Sequence, residues 1–476
     1  MAAMTALQLF IDGQWCDGGA IAVKTDTWSG EPVADVHIAT RAQVEKATRA
    51  LAEGQRAMSL SPHARYTMLM DAAGLLGQRV DAFVEGIVAD TGFTMTDAKR
   101  EVERAIETLT LSAEEAKRLH GEVVPMASDP TNPQRLAFTV LRPLGVVCAI
   151  TPFNSPLNTV LHKVAPALAA GNAVILKPAM QTPITADLLL HLLLDAGVPP
   201  SLLALVQGRG SEVGQWLLED PVPAFYAFTG STEVGETISR TIGVRRAQLE
   251  LGSLASTIVC HDADLARATA LVVNAAFRKA GQVCTSVQRV YVHDSIRDEF
   301  TTALVSAAGE KKAGDPRDPT TFLGPLIDLP AAERVDSWIQ EAARRGATVH
   351  LGGNRQGSLL DPTILSDVPK DASVMCSEVF GPVLSLVPFA DLDAALDGAN
   401  DTPYGLAAGI FTRDIASALG SAARLRMGTV HINETSSARV DLMPFGGVKL
   451  SGHGKEGPAY AIREMSDETL ITMGTN

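Results

Sequence analysis

The stretch LGVVCAITPFNSPLNTVLHKVAPALAAGNAVILKP, residues 144–178, decides the fold class. Residues 144–150 form an apolar run suited to a strand buried on both faces. Ser155 and Pro156 then read as a helix start, with serine as N-cap and proline in the first turn. Leu157, Val160, Leu161, Val164 and Leu168 recur at helical spacing, and Gly171-Asn172 closes the helix. Residues 173–176 are the next short strand. Reading outward, helices are expected over 183–196, 211–218 and 231–242, and strands over 203–206, 224–228 and 246–251. Strands alternating with helices imply a parallel sheet covered on both faces, which binds ligands beyond the carboxyl ends of its strands. A second alternating series starts near Asp262 and predicts a further α/β unit, with helices over 264–279, 295–308, 331–345, 391–399 and 415–424. Its strands are expected over 289–293, 384–388, 409–411 and 429–432. Upstream, helical patterns over 42–57, 64–80 and 97–120 are placed to cover the first sheet. Residues 121–142 read as a two-stranded excursion around the polar turn 128–133, and 467–473 as a terminal strand. A protruding hairpin beside a free strand suggests a device for pairing subunits.

Composition narrows the function. The 476 residues include 40 Lys+Arg and 54 Asp+Glu, a net charge of −14, with 46% hydrophobic and 20% charged residues. Such a chain buries a large core and divides into two or three domains. Its acidic balance argues against nucleic acid as partner, yet a few arginines in a cavity suffice for a small anion. No apolar run is long enough to span a bilayer, and the N-terminus has no signal-peptide pattern. The five cysteines, Cys16, Cys148, Cys260, Cys284 and Cys376, are scattered and odd in number. A reducing cytoplasm is expected. No metal-ligand spacing is present, so no metal is expected.

Several residues stand where chemistry is possible. Cys284 lies in Gly281-Gln282-Val283-Cys284, a loop ahead of a strand; a free cysteine is more often buried and inert, but this loop suits a nucleophile. Glu250 ends an apolar strand, where desolvation would raise its pKa toward that of a general base. Asn154 sits where a strand turns into a helix, and its carboxamide is suited to an oxyanion, although asparagine is also an ordinary turn residue. Gly230 and Ser231 open a helix after a strand, a place for a pyrophosphate. Lys177 ends a neighbouring strand.

Taken in order, these pieces resemble the NAD(P)-dependent aldehyde dehydrogenase superfamily almost end to end. The matching motifs are Pro152-Phe153-Asn154, Lys177-Pro178-Ala179, Phe228-Thr229-Gly230-Ser231, Glu250-Leu251-Gly252, Gly281-Gln282-Val283-Cys284, Glu378-Val379-Phe380-Gly381-Pro382 and Pro444-Phe445-Gly446-Gly447. The resemblance implies a Rossmann-like cofactor domain (1–120 and 142–252), an α/β catalytic domain (253–432) and a small β oligomerisation arm (121–141 and 433–476). It implies a homodimer or homotetramer. Cys284 then resembles the nucleophile, Asn154 and the Cys284 N–H the oxyanion donors, and Glu250 the base that activates water. Lys177 and Glu378 are similar to ribose-contacting residues, Phe380 to a wall beside the nicotinamide, and Ser231 to a pyrophosphate contact.

Departures from the pattern inform cofactor and substrate. Met180 replaces the glutamate that bonds the adenosine ribose in NAD-preferring members, so NADP is not excluded alongside NAD, and Arg209 is a candidate for its 2′-phosphate. Ser253 replaces a usual glycine. His162, Arg278 and Arg439 stand where members preferring neutral aldehydes often carry aromatics, and Phe445 follows in the Pro-Phe-Gly-Gly motif. The neighbourhood of Arg278 resembles succinate-semialdehyde dehydrogenases, and the stretch 433–447 resembles enzymes for phosphonate- and sulfonate-bearing aldehydes. A small aldehyde with an anionic tail is therefore expected. The alternatives are a neutral or aromatic aldehyde, a CoA-acylating relative, and a fold kept without catalysis; the survival of Asn154, Glu250 and Cys284 weighs against the last.

Overall fold

The computed structural model describes residues 4–131 and 135–474. Two open sheets organise them. The first has eight strands in the order Gly452–His453, Arg246–Glu250, Phe225–Thr229, Val146–Ile150, Ala173–Lys177, Leu203–Leu205, Leu9–Ile11 and Gln14–Cys16. Its five central strands are parallel and nearly all apolar, as burial on both faces requires. The helices Pro62–Gln78, Met95–Arg118, Asn158–Ala170 and Pro183–Asp195 bury leucines, valines and alanines against one face. Arg41–Ala57 and Thr232–Thr241 cover the other. The second sheet runs Thr348–Leu351, Thr363–Ser366, Val383–Phe389, Arg289–His293, Ser256–Val259, Ala407–Phe411 and Thr429–Ile432, and only its first strand is antiparallel. A three-stranded sheet joins Ser466–Met473, Leu136–Pro143 and Val123–Val124. Of residues 433–474, this sheet takes only the last strand: Gly452–His453 edges the first sheet, and Pro458–Glu464 packs on Asn158–Ala170. The expected polar turn at 128–133 is only partly visible, since Asn132 and Pro133 lie outside the described residues.

Two local expectations change. The helix expected from Ser155 begins at Asn158, and no side chain of its own segment caps it. Glu101, on Met95–Arg118, does so instead: Oε1 accepts the Leu157 N–H at 3.0 Å, the Asn158 N–H at 3.3 Å and the Ser155 hydroxyl at 3.0 Å. A carboxylate is a stronger acceptor than serine and favours the positive helix end. The helical pattern 64–80 also conceals a break at Arg79, after which a separate helix, Val80–Thr91, begins.

This architecture positions the site. Asn154, Lys177, Gly230 and Glu250 all lie at the carboxyl edge of the first sheet. Cys284 and Glu378 lie in loops that enter strands of the second. The edges meet where the Asn154 carboxamide donates to the Gln282 carbonyl at 3.0 Å and the Ser253 N–H donates to Glu378 at 3.1 Å.

Candidate active site

Cys284 is half-buried on a loop of unusual backbone. Lys279, Ala280 and Gly281 all adopt positive φ, at 52°, 52° and 70°. Gly281 has no alternative, because a Cβ there would stand 2.1 Å from the Gly381 carbonyl oxygen. Two non-glycine residues in this region represent stored strain of the kind found at functional loops. Burial, reinforced by the Glu250 charge, pushes the Cys284 thiol up to about 12. Among the described residues, the Cys284 N–H donates to no protein acceptor. It is therefore available, with the Asn154 carboxamide beside Gln282, to an oxygen at the reacting carbon.

Glu250 is buried behind them. Its Oε2 accepts from the Thr229 hydroxyl at 3.2 Å, and Oε1 has no donor. Glu456, fully buried, faces it and takes Lys163 Nζ at 2.8 Å and Arg439 Nη2 at 2.6 Å. Against the cost of burial, those two cations hold Glu456 ionised well below the ordinary range. Burial and the Glu456 charge push Glu250 the other way. Of the two neighbouring carboxyls, Glu250 is therefore the harder to ionise.

A cavity opens from Cys284 in two chambers, an inner one of about 50 Å³ and an outer one of about 150 Å³. Arg104, Arg278, Lys279, Ser437 and Arg439 line both, and Phe445 and Thr285 close the inner one. The expected substrate residues do not share one fate. Arg439 lies over the Phe445 ring at 3.9 Å but is committed to Glu456. His162 is a correction: it is fully buried outside the cavity wall, 2.9 Å from Asp441. Asn158 and Thr159 present that helix to the cavity, and His162 lies a turn deeper. Burial lowers its pKa against the pull of Asp441. Among the described residues, Arg278 bonds only the Ser437 hydroxyl, at 2.8 Å, and forms no ion pair, although Asp97 shares its chamber. Burial and the neighbouring Arg100 and Arg104, opposed by Asp97, bring it down to about 10, so it remains cationic at neutral pH.

Arg104 was not anticipated from the sequence. It forms a two-point pair with Asp441, at 3.0 and 2.7 Å, and Asp441 also accepts from Asn158 and His162. The available signal was a stripe of Asp97, Glu101, Arg104 and Thr108 at helical spacing, where the helix otherwise buries alanine, valine and leucine.

The candidate cofactor residues lie along the first sheet's edge, except Glu378 and Phe380, which come from a loop of the second sheet. Lys177 is 4% exposed, and burial lowers its ammonium to about 8. Among the described residues its one acceptor is the adjacent Pro178 carbonyl at 3.3 Å, so this buried ammonium has donors to spare for a ligand. Ser231 caps Thr232–Thr241 and leaves the helix start exposed beside Gly230. Burial raises Glu378 to about 7. Phe380, at φ 49°, sets its ring edge-on to Phe153 at 5.8 Å. Met180 is half-buried, and Arg209 is exposed on the loop after the adjoining strand, Leu203–Leu205. These groups fit a nicotinamide dinucleotide.

Comparison with known proteins agrees with this geometry. Residues 15–471 match the aldehyde dehydrogenase family. The chain is 45% identical over 465 residues to the 3-sulfolactaldehyde dehydrogenase of Priestia aryabhattai, covering 98% of this chain and 97% of that protein. NADP-dependent glyceraldehyde-3-phosphate dehydrogenase from Bacillus halodurans C-125, solved with NADP, superposes with a TM-score of 0.96 at 34% identity, covering 99% of each chain. An aldehyde dehydrogenase from Physcomitrella patens in complex with succinate gives 0.96 at 32%, again over 99% of each. Sequence, shape and site converge, and the chain belongs to the aldehyde dehydrogenase family, whose members oxidise aldehydes with a nicotinamide cofactor.

Proposed function

We propose that the enzyme oxidises a small aldehyde with an anionic tail to the carboxylic acid, and that a three-carbon sulfonate such as 3-sulfolactaldehyde is the best match. The carrying observation is Arg278, a guanidinium on the wall of the Cys284 cavity that forms no ion pair among the described residues. Arg100 and Arg104 add to the local positive charge. The 45% identity to a 3-sulfolactaldehyde dehydrogenase supports the same choice.

In this reading the Cys284 thiol gives up its proton to solvent in the cavity, and the thiolate attacks the aldehyde carbon and forms the C–S bond. Asn154 Nδ2 and the Cys284 N–H hold the oxygen as its charge develops. The bound nicotinamide supplies the hydride acceptor, in its NAD or NADP form. Lys177 and Glu378 would hold the ribose, Ser231 and the adjoining helix start the pyrophosphate, and Phe380 would orient the ring. A thioester on Cys284 remains. Glu250 then takes a proton from water, which attacks the thioester, releases the acid and restores the thiolate. Met180 places no carboxylate against a 2′-phosphate, and Arg209 is free to meet one, which supports acceptance of NADP.

Replacement of Arg278 by leucine tests the substrate reading. A charged hydrogen bond contributes about 1.5–3 kcal/mol. The KM for 3-sulfolactaldehyde should rise roughly 10- to 100-fold, while that for lactaldehyde, which lacks only the sulfonate, should move little. An equal rise for both aldehydes would remove the proposal.

We also infer that the chain assembles as a homodimer or homotetramer. The three-stranded sheet leaves Val123 73%, Leu470 55% and Met473 50% exposed, an apolar surface suited to a second copy.

A further inference from the structure

Lys279 is a lysine on the nucleophile's own loop, yet its ammonium points away from solvent. It donates to Glu101 at 2.5 Å and to the backbone carbonyl of Asn154 at 2.9 Å. Glu101 is 3% exposed, and its other oxygen accepts the Ser155 hydroxyl and the Leu157 and Asn158 N–H groups. The Lys279 N–H donates to Asp97 at 3.3 Å, one turn along the same helix. Lys279 also begins the run of three positive-φ residues that ends three positions before Cys284. One ion pair therefore joins three segments: the helix Met95–Arg118, the loop carrying Asn154 and the loop carrying Cys284. The Asn154 carboxamide closes the same circuit by donating to Gln282.

We propose that Glu101 and Lys279 are positioning residues that set the distance between the two oxyanion donors, the Asn154 carboxamide and the Cys284 N–H. This rests on the catalytic assignment of Asn154 and Cys284 above. Each donor sits on a loop between regular elements; Ala280 packs in a core cluster, and Gln282 ties the Cys284 loop to Pro325 and Ile327. The loop conformation at Lys279 and Ala280 is unfavourable for residues with a Cβ and persists only when its surroundings impose it. The buried ammonium, held by a carboxylate on one side and by the Asn154 carbonyl on the other, supplies the part of that constraint that reaches Asn154. The pair acts through Asn154 and Cys284 and touches no reacting atom.

The pair lies beside the cavity, so a second role is available to Lys279: binding the anionic tail directly. The two roles separate kinetically. With Lys279→Met, and with the charge-neutral double variant Glu101→Gln/Lys279→Met, kcat should fall about 10- to 100-fold, as for a misplacement of about 1 Å at a reacting group. The fall should be the same for 3-sulfolactaldehyde and for lactaldehyde, and KM for both should stay within about twofold. Cofactor affinity, measured by quenching of protein fluorescence, should be unchanged. The double variant leaves no unpaired buried charge, so it tests the proposal if the single variant does not fold. A KM rise confined to the anionic aldehyde would assign Lys279 to the tail and overturn the proposal, and an undiminished kcat in the double variant would overturn it as well. Cys284→Ala, assayed in parallel, keeps the two levels apart. Activity remaining there would defeat the catalytic assignment itself, whereas its loss beside an unaffected double variant would defeat only the positioning role.

Discussion

Cys284 rests as a thiol in the cofactor-free protein, because burial and Glu250 raise it to about 12. Below that value each pH unit raises the thiolate fraction tenfold. The rate of Cys284 alkylation by iodoacetamide in cofactor-free enzyme should therefore climb about tenfold per unit from pH 7 to 10. A plateau near pH 8 or 9 would show a thiolate already formed at rest. The arginines differ in the same residue-by-residue way. Arg439 is held by Glu456, so its replacement by leucine should lower kcat for anionic and neutral aldehydes by a similar factor, read from paired Michaelis–Menten curves. A KM rise for the anionic aldehyde alone would place Arg439 on the tail. Sequence alone could nominate Cys284, Glu250 and Asn154, since each carries its chemistry in a short motif. It could not show that Arg439 is spent on Glu456, nor that His162 is sealed behind the cavity, because Glu456 and Asp441 come from remote parts of the chain.

At the scale of elements, strands and helices between residues 144 and 252 were readable because burial on both faces writes unbroken apolar runs and tight glycine stops. The strands Leu9–Ile11 and Gln14–Cys16, which complete the sheet's edge, are three residues each and too short to show a period. The start of Asn158–Ala170 was misplaced for a related reason. Its cap comes from Glu101, more than fifty positions upstream, and a local rule sees only Ser155. The strained loop at Lys279–Gly281 is likewise invisible locally, since glycine stands at only one of its three positive-φ positions. Met95–Arg118 shows what a longer view recovers. It places Asp97, Glu101, Arg104 and Thr108 on one face, so a single helix serves both the cavity and the oxyanion loop.

Over the whole molecule the net charge is −14, yet the cavity at Cys284 collects Arg104, Arg278, Lys279 and Arg439. Overall charge describes the surface, and partnering inside the cavity decides what it binds. Arg104 and Arg439 are paired with Asp441 and Glu456, Lys279 with Glu101, and Arg278 has no ion-pair partner among the described residues, which is why we propose it for the substrate's anionic tail. The exposed apolar sheet formed by Ser466–Met473 and its neighbours carries a second whole-molecule expectation: sedimentation velocity at micromolar concentration should show a dimer or tetramer, and a monomer would contradict the proposed assembly. The most direct test of the anionic pocket is the ratio of kcat/KM for 3-sulfolactaldehyde over lactaldehyde in the unmodified enzyme, measured with both NAD⁺ and NADP⁺. We expect a ratio of tenfold or more, about 1.4 kcal/mol of transition-state binding, with whichever cofactor is used more readily. A ratio of one or below would mean that Arg278 does not meet the substrate, and that the enzyme acts on neutral aldehydes.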